Sequence, residues 1–414
     1  MIHPPPPQLQ RKIRETVRVF PWYGGLLPAG KMDSIAPSQL TLDDLPLMTA
    51  PLLEKHYYAS PPRSDTDGPL SVYRTSGTST GIRKSIYYSE EDDRHYIDIR
   101  TRLYGDWLQC TANSLQRALA DMGTGHAAST AVTIFERLGL TTESLSYELP
   151  VARHIERLEA FRPDVLYTMP SILDRIVHAA SDPARFGIRK IILVGEIATP
   201  AWQRGIASAF GIAPEDILDT FGSIEIGTIA AYSHAHGKYL LAEGLHAEGI
   251  APERLEEGFE PLADNEQVLV LTSWVRSYFP ALRFVTYDVV RDLQTIEVDG
   301  TPRQAFTCIA KRIGPELKHG EKISIYDIEA VVAAQLPDAQ TRVQLRDNRL
   351  TVLLRSSSLE SAMLPAIRTA IEHKIPEIGS MIGSGILESI EVRAADEGHE
   401  AFARPTGKSK KLHY

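Results

Sequence analysis

The amino-acid sequence predicts an α/β protein with a large N-terminal domain, built from parallel βαβ units and a β-rich subdomain, and a small α/β C-terminal domain. Apolar strand-like runs alternate with helices of about ten residues between residues 153 and 221, which is typical of parallel βαβ units. Alternating β-type runs follow from 267 to 300. A compact α/β pattern fills the C-terminal part, so we place the domains at 1–311 and 312–414.

Local signals predict the individual elements. Residues 9–20 have helical periodicity after the prolines at 4–7, and Ser89 followed by acidic residues is the N-cap of a helix that runs to about Leu108. Asp299-Gly300 is a turn signal. Further helices are predicted at 50–57, 153–161, 170–180, 202–210, 326–335 and 359–373, and further strands at 165–168, 190–194, 217–221, 268–272, 281–287, 294–300, 343–345, 350–354 and 387–392.

The bulk composition limits the possible functions. Of 414 residues, 43% are hydrophobic and 23% charged, which suits a globular chain with a large core and a second domain. The net charge of −9 argues against nucleic-acid and anionic-membrane partners, because both attract basic surfaces. Since Cys110 and Cys308 are the only cysteines, we expect no disulfide framework and a cytoplasmic location. Neither a membrane-spanning apolar run nor an export signal is evident.

A loop rich in serine, threonine and glycine, residues 73–84, lies between strand-like runs at 70–73 and 85–88. Its glycines let the backbone approach an anion, while its hydroxyls and its two terminal basic residues supply donors and positive charge. It is not a Walker A loop, because Gly77 and Gly81 have a different spacing and a strand follows instead of a helix. A phosphate loop and a solvated surface turn both remain open from these residues alone.

Seven segments point to one enzyme family when they are taken in order. They are the 75–84 loop, Phe135-Glu-Arg-Leu-Gly139, the segment 161–166 together with 170–173 as one motif, Gly195-Glu196, Asp219 to Glu225, Thr286-Tyr-Asp288 and Gly407-Lys408. In this order, and nearly end to end, the chain resembles the phenylacetate–CoA ligase branch of the adenylate-forming enzymes. The resemblance implies an adenylate-forming fold, a C-terminal domain that is a mobile lid, and activation of a carboxylic acid by ATP.

The resemblance also implies which residues bind MgATP. The loop would hold the triphosphate, Glu225 would ligate Mg²⁺, a hard cation suited to carboxylate and phosphate oxygens, and Asp288 would hold the ribose. Phe221 and the turn at 195–197 would enclose the adenine. The full nucleotide-binding set is Thr75, Ser76, Gly77, Thr78, Ser79, Thr80, Gly81, Lys84, Gly195, Glu196, Ile197, Asp219, Phe221, Gly222, Ser223, Asp288 and Arg312.

The catalytic residues that the resemblance implies are Glu225 and Lys408, the mobile lysine that reaches the α-phosphate and the substrate carboxylate. Two anions must meet at the α-phosphorus, so positive charge and positioning would supply most of the acceleration. Taken alone, each matched residue also has an ordinary explanation: a capping carboxylate, a core aromatic, a turn aspartate or a solvated lysine. Lys410 and Lys411 leave the register of the lysine open.

The motifs depart from the family pattern in three places. Ile224 replaces the usual hydroxyl within the 221–225 segment, which leaves Ser223 as the nearby donor. Phe284-Val-Thr-Tyr-Asp288 stands where the family has Tyr-Arg-Thr-Gly-Asp. The hinge segment keeps Arg312 but lacks the family's aspartate. These changes suggest a specialised member of the family.

The acid pocket is expected near residues 123–133. Its predicted substrate-binding residues are His126, Ser129, Thr133, Pro170 and Ser171. Polar side chains stand here where aryl-acetate enzymes have small and apolar ones, so we predict a hydroxylated or otherwise polar aryl acid. A structural role for His126 is equally open.

The predicted reaction has two steps, with a pivot of the small domain near Gly314-Pro315 between them. MgATP and the acid give an acyl-adenylate and pyrophosphate, and then a pantetheine thiol of CoA or of a phosphopantetheinylated carrier protein displaces AMP. Carrier loading in siderophore or antibiotic biosynthesis would suit the polar pocket. The family often forms homodimers, although the sequence itself does not specify the oligomeric state. Two alternatives stay open: a nucleotide-binding module without ligase chemistry, and an amide-forming or protein-acylating relative.

Overall fold

The computed structural model describes residues 6–27, 40–60, 62, 68–74, 84–108, 115–122, 126–255, 259, 261–313, 324–346, 349–383, 387–396, 399–402 and 412–413. Within these residues the α-helices are α1 (Pro6–Val19), α2 (Pro21–Gly24), α3 (Ala50–Leu52), α4 (Glu90–Leu108), α5 (His126–Arg137), α6 (Val151–Phe161), α7 (Pro170–Ala179), α8 (Pro200–Phe210), α9 (Ile325–Ala333), α10 (Met363–Lys374) and α11 (Pro376–Gly383). A π-helical turn, Leu53–Tyr57, extends α3.

The strands in the same residues form four sheets. In chain order they are β1 (Ser71–Arg74), β2 (Ser85–Tyr88), β3 (Arg117–Asp121), β4 (Thr141–Leu145), β5 (Val165–Thr168), β6 (Lys190–Val194), β7 (Ile217–Ser223), β8 (Gly227–Ser233), β9 (Lys238–Leu241), β10 (Leu245–Ile250), β11 (Glu266–Ser273), β12 (Phe284–Arg291), β13 (Gln294–Val298), β14 (Thr301–Phe306), β15 (Ile309–Arg312), β16 (Gln340–Arg346), β17 (Arg349–Arg355), β18 (Ser389–Ala394) and β19 (Leu412–His413).

The largest sheet has nine strands in the order β13-β14-β9-β8-β7-β6-β5-β3-β4. The run from β4 to β7 is parallel, as the alternation of strands and helices predicts, and the run from β8 to β13 continues it in antiparallel pairs. Helices α4 and α5 cover one face, and α6, α7 and α8 cover the other. Because β5, β6 and β7 are parallel, the segments that follow them lie along the same edge, where ligands bind in open α/β sheets.

Helix α4 begins as the acidic N-cap signal predicts. The backbone N–H of Asp92 donates to Ser89 Oγ at 3.1 Å, and the Ser89 N–H donates to Asp92 Oδ2 at 3.2 Å. This reciprocal pair satisfies two N–H groups that the first helical turn leaves without backbone partners. None of the described helices is both long and apolar enough to span a bilayer.

A second, antiparallel sheet, in the order β10-β11-β12-β15, packs with the N-terminal helices and the β1–β2 hairpin. Aromatic rings fill much of their shared core. Tyr57, for example, packs edge-on against Phe20 at 5.8 Å and against Phe279 at 5.1 Å between ring centres. The hairpin that carries the Ser/Thr/Gly loop is therefore anchored to a rigid support.

The C-terminal part has its own core, formed by the sheet β18-β17-β16-β19 and helices α9, α10 and α11. Polar contacts join it to the rest of the chain. Both terminal nitrogens of Arg291 donate to Asp327 at 2.6 Å, and Thr199 Oγ1 donates to Glu329 at 2.9 Å. The proposed domain boundary falls at the end of β15, and the proposed pivot at Gly314-Pro315 lies outside the described residues.

Candidate active site

The predicted phosphate loop joins the two strands of the β1–β2 hairpin. The loop residues Thr75, Ser76, Gly77, Thr78, Ser79, Thr80 and Gly81, and the predicted catalytic Lys408, lie outside the described residues. Lys84, directly before β2, lies within them. Its Nζ forms an ion pair with Glu54 and lies 4.9 Å from the centre of the Tyr58 ring. Positive charge is therefore present at the point where the loop rejoins the sheet.

Glu225 is close enough to Tyr58 for its charge to act on the phenol. Burial raises the pKa of the Tyr58 phenol, and the negative charge of Glu225 raises it further. Within the part of the chain that the structure describes, no basic side chain forms an ion pair with Glu225, and Arg276 binds its backbone carbonyl oxygen instead, at 3.1 Å. A carboxylate without a protein cation fits a hard metal ion such as Mg²⁺.

The described residues offer Glu225 too few partners to hold a metal ion by protein ligands alone. Among the described residues there is no group of three or more His, Cys, Asp or Glu side chains that could hold one. Mg²⁺ in proteins commonly takes one or two carboxylates and completes its shell with water and substrate phosphates. The predicted role of Glu225 is compatible with this pattern, in which oxygens of the nucleotide and of water would complete the shell.

Gly222 lets β7 and β8 approach closely beside Phe221. A Cβ atom at position 222 would lie 2.5 Å from the carbonyl oxygen of Gly227, so any other residue would force the strands apart. Phe221 is half-buried and packs edge-on against Phe306, with the ring centres 6.3 Å apart. The backbone of the predicted adenine-binding segment is thus fixed by packing.

Three further residues of this segment take part in internal hydrogen bonds. Ser223 Oγ accepts a bond from a backbone N–H three residues further on, at 3.3 Å, and the carbonyl of Ile224 accepts one from the Tyr88 hydroxyl at 2.7 Å. Asp219 is buried within β7 and accepts a bond from the Tyr239 hydroxyl. Burial and this carboxylate together raise the pKa of Tyr239 well above its usual value. Nucleotide contacts by Ser223 and Asp219 remain predictions.

Glu196 connects the segments that follow β5 and β6. Its carboxylate accepts the backbone N–H of Ser171 at 2.8 Å and the Ser171 hydroxyl at 2.9 Å, at the N-terminus of α7, where Pro170 is the first helical residue. Gly195 has a φ of +85°, a conformation that favours glycine. Ile197 packs against the C-terminal core. The predicted adenine-binding turn and the predicted acid-binding segment are therefore neighbours.

Asp288 and Arg312 face each other across β12 and β15. Arg312 Nη1 lies 3.4 Å from Asp288 Oδ1, and the arginine side chain is 56% exposed. The predicted ribose ligand and the predicted hinge arginine are thus adjacent and reachable from solvent. Their contact with a nucleotide remains a prediction.

His126 begins α5 and lies among three tyrosines, which we call the aromatic cluster. Its ring centre is 4.3 Å from that of Tyr73, 4.7 Å from that of Tyr88 and 4.1 Å from that of Tyr96. Nε2 is 2.7 Å from Asp93 Oδ1, while Nδ1 is buried and has no hydrogen-bond partner among the described residues. Burial lowers the pKa of His126 although Asp93 opposes the shift, so the surroundings favour the neutral imidazole.

The other two α5 residues predicted for the acid pocket lie further along the helix. Ser129 is exposed, and its hydroxyl donates to the carbonyl of His126 at 3.1 Å. Thr133 is half-buried. Of these three α5 residues, His126 is the one that packs into the aromatic cluster.

Two buried arginines beside the aromatic cluster were not singled out by the sequence analysis. Arg276 is paired with Asp92, and its guanidinium lies 3.6 Å from the centre of the Tyr88 ring. Arg100 lies 4.5 Å from the centre of the Tyr96 ring, on the fourth residue after it. Spacing of four residues along α4 puts Tyr96, Arg100 and Tyr104 on one buried stripe, and that spacing is the signal that could have identified Arg100.

The fold is that of the adenylate-forming ligases, which confirms the predicted fold class. The structure superposes on that of 2-hydroxyisobutyryl-CoA ligase in its postadenylation state with a TM-score of 0.71 and 17% identity, covering 98% of this chain and 88% of that one. The amide bond synthetase McbA from Marinactinospora thermotolerans gives a TM-score of 0.50 and 14% identity, covering 78% of this chain and 65% of that one. At these identities the likeness is one of fold.

Sequence comparison identifies the family. The chain is 36% identical over 388 residues to the fumarate–(S)-2,3-diaminopropanoate ligase of Enterobacter agglomerans, which covers 94% of this chain and 95% of that protein. Residues 318–396 match the family model for the fumarate–diaminopropanoate ligase C-terminal domain. The chain belongs to the same family of ligases as this enzyme.

Proposed function

We propose that this protein activates a dicarboxylic acid of the fumarate type with ATP and transfers the acyl group to the amine of a diamino acid, forming an amide. The observation that carries the proposal is the 36% identity, over 94% of the chain, to a ligase that is named for fumarate and (S)-2,3-diaminopropanoate. This is the amide-forming alternative of the sequence analysis. A polar aryl acid and a thiol acceptor, either CoA or a carrier protein, remain the competing prediction.

Two group transfers make up the proposed reaction. In the first, an oxygen of the acid's carboxylate attacks the α-phosphorus of ATP, and the bond to pyrophosphate breaks. In the second, the amine nitrogen attacks the acyl carbon, AMP leaves with the bonding electrons, and the nitrogen loses a proton. Both steps gather negative charge around one phosphorus atom, so the protein has to supply cations and N–H donors there.

The residues assigned to these tasks come from three parts of the site. The 75–81 loop and Lys84 would bind the phosphates that leave as pyrophosphate, and Lys408 would approach the α-phosphate from the C-terminal part. Glu225 would hold Mg²⁺, which when bound neutralises phosphate charge. Asp288 would accept hydrogen bonds from the ribose. Support for Glu225 is its carboxylate, which has no ion-pair partner in the described residues.

The proposal is tested by exchange of labelled pyrophosphate into ATP with fumarate, succinate, benzoate and 2,3-dihydroxybenzoate as acids. We expect the highest exchange with fumarate, and AMP release accelerated by (S)-2,3-diaminopropanoate with an amide detected by mass spectrometry. Exchange confined to the aryl acids, or AMP release that responds to CoA and not to the amine, would contradict it. Nucleotide binding without exchange for any acid would favour the non-catalytic alternative.

A matched control separates chemistry from folding. Glu225→Gln removes the carboxylate charge but keeps the backbone carbonyl that binds Arg276. We expect this variant to retain the circular dichroism of the native protein and to lose exchange with every acid. Unchanged exchange would remove Glu225 from the proposed mechanism.

A further inference from the structure

Arg100 is a buried arginine whose hydrogen-bond partners are neutral. Its side chain lies between α4 and the large sheet, and the residue is 3% exposed. Nε donates to Thr228 Oγ1 on β8 at 2.9 Å, and Nη1 donates to the Tyr167 hydroxyl on β5 at 2.8 Å. Across the described ranges, no carboxylate forms an ion pair with Arg100, and its Nη2 has no hydrogen-bond partner.

The other arginines that are buried in the described residues show what is missing here. Arg276, Arg283 and Arg342 each have a carboxylate oxygen as an ion-pair partner. Such pairing is expected, because a charge taken out of water without compensation is costly. Arg100 therefore retains a positive charge in the interior that no described side chain neutralises.

Arg100 also lies next to the predicted acid pocket. The Tyr96 ring separates it from His126, with 4.5 Å from the ring centre to the guanidinium and 4.1 Å to the imidazole. Its partner Tyr167 is three residues before Pro170 on the β5 segment, and its partner Thr228 follows the Glu225 turn by three residues. The guanidinium is thus bonded to the strand that precedes the predicted acid-binding residues at 170–171 and to the strand that follows the Glu225 turn.

We propose that Arg100 binds the second carboxylate of a dicarboxylic acid, while the first carboxylate is activated at the ATP side of the site. This assignment rests on the proposed function and adds the residue that selects a dicarboxylic acid. A guanidinium can donate two N–H groups to one carboxylate, and the hydroxyls of Tyr167 and Thr228 can add donors. An acid with one carboxylate would leave the buried charge unpaired, and so it would be rejected.

The test compares fumarate with crotonate, which keeps the trans double bond and carries a methyl group in place of one carboxylate. We expect kcat/KM for pyrophosphate exchange in the native enzyme to favour fumarate by at least about 100-fold. Arg100→Met, which keeps the side-chain length without the charge, is expected to lower kcat/KM for fumarate by about 100-fold or more and to leave crotonate within about threefold. Arg100→Lys keeps the charge, so its kcat/KM for fumarate should lie between that of the native enzyme and that of Arg100→Met. This variant tests the assignment if Arg100→Met does not fold.

The control variant is Arg137→Met. Arg137 lies on α5 and pairs with Asp98 on α4 at 2.7 Å, so it joins the same two helices, but its side chain is 45% exposed. We expect it to change neither substrate's kcat/KM. A second measurement, independent of turnover, is the rise in unfolding temperature on adding fumarate, which the native protein and Arg137→Met should show and Arg100→Met should not.

The outcomes separate this assignment from the proposed function. Two results would show that the assignment to Arg100 is wrong while the proposed function stands, given that the native enzyme uses fumarate. In one, the Arg100 variants keep the native preference for fumarate over crotonate; in the other, their kcat/KM falls equally for both acids. If the native enzyme exchanges with neither acid and fumarate does not raise its unfolding temperature, the proposed function fails and the assignment fails with it.

Discussion

Arg276 and Arg100 are buried against the same helix, α4, yet their surroundings differ in charge. Each guanidinium lies on a tyrosine ring, Arg276 at 3.6 Å and Arg100 at 4.5 Å from the ring centre. Arg276 pairs with Asp92, whereas the bonded partners of Arg100 are hydroxyls. Burial and cation–π stacking are therefore common to both, and the presence of a carboxylate separates them. A buried arginine that is paired with a carboxylate stabilises the fold, and we call it a framework residue. A buried arginine without such a partner marks a position where an anion is expected to bind.

The comparison predicts its largest effect for Arg276→Met. This change leaves the buried Asp92 carboxylate without its cation, although backbone N–H groups of Ser277 and Tyr278 still donate to it at 2.7 and 3.1 Å. We expect the free energy of unfolding to fall by about 3 kcal/mol, at the low end for breaking a buried pair. Urea unfolding followed by circular dichroism measures it. A loss below about 1 kcal/mol would place Arg276 outside the framework.

A smaller effect is expected for Arg100→Met in the absence of any acid. The variant loses two hydrogen bonds to hydroxyls but also removes an uncompensated buried charge, and these contributions oppose each other. The free energy of unfolding should therefore stay within about 1 kcal/mol of the native value in the same urea titration. A loss as large as that of Arg276→Met would make Arg100 a framework residue and remove the distinction between the two arginines.

The sequence predicts some strands of the large sheet better than others. The parallel strands β5, β6 and β7 are short, largely apolar runs between helices, so they and the segments after them could be placed from pattern alone. Strands β3 and β8 could not, because alanine, threonine and glycine in Arg117–Asp121 and Gly227–Ser233 give neither a strong alternation nor a β-branched run. β3 and β8 become strands because they pair with neighbouring strands on both sides, which is a tertiary effect.

The same limit applies to the candidate site. Loop composition pointed to the 75–84 loop as a candidate phosphate site, and the family resemblance implied Glu196 and Glu225 as candidate ATP-site residues. For Arg100 the sequence offers only the four-residue spacing with Tyr96 and Tyr104 on α4, and a single arginine in a polar helix is usually solvated. His126 was predicted for the acid pocket, a role that stays a prediction, and its partner Asp93 lies 33 residues away, on another helix. Pairings of this kind depend on how α4 and α5 pack, and a single sequence does not contain that information.

The smallest predicted effect concerns pH and the aromatic cluster between the two arginines. Burial, assisted by the charges of Arg100 and Arg276 and opposed by Asp93, lowers the pKa of His126 in the folded protein. At about pH 8 the residue is neutral in both the folded and the unfolded chain, so it contributes no pH dependence there. As the pH falls through about 6.5, the unfolded chain binds the proton first, and the folded state loses stability.

His126→Gln isolates this contribution, because other titrating groups affect both proteins alike. We expect the difference in unfolding free energy between the native protein and the variant to be largest at about pH 8 and to decrease towards about pH 5. Adding Arg100→Met to both proteins should make that decrease smaller, since one of the positive charges that disfavour protonation is gone. A difference that stays constant with pH would mean that His126 has the same pKa in the folded and the unfolded chain. A difference that increases towards about pH 5 would mean that Asp93 keeps His126 protonated in the fold, and the cluster would then already contain the ion pair that Arg100 lacks.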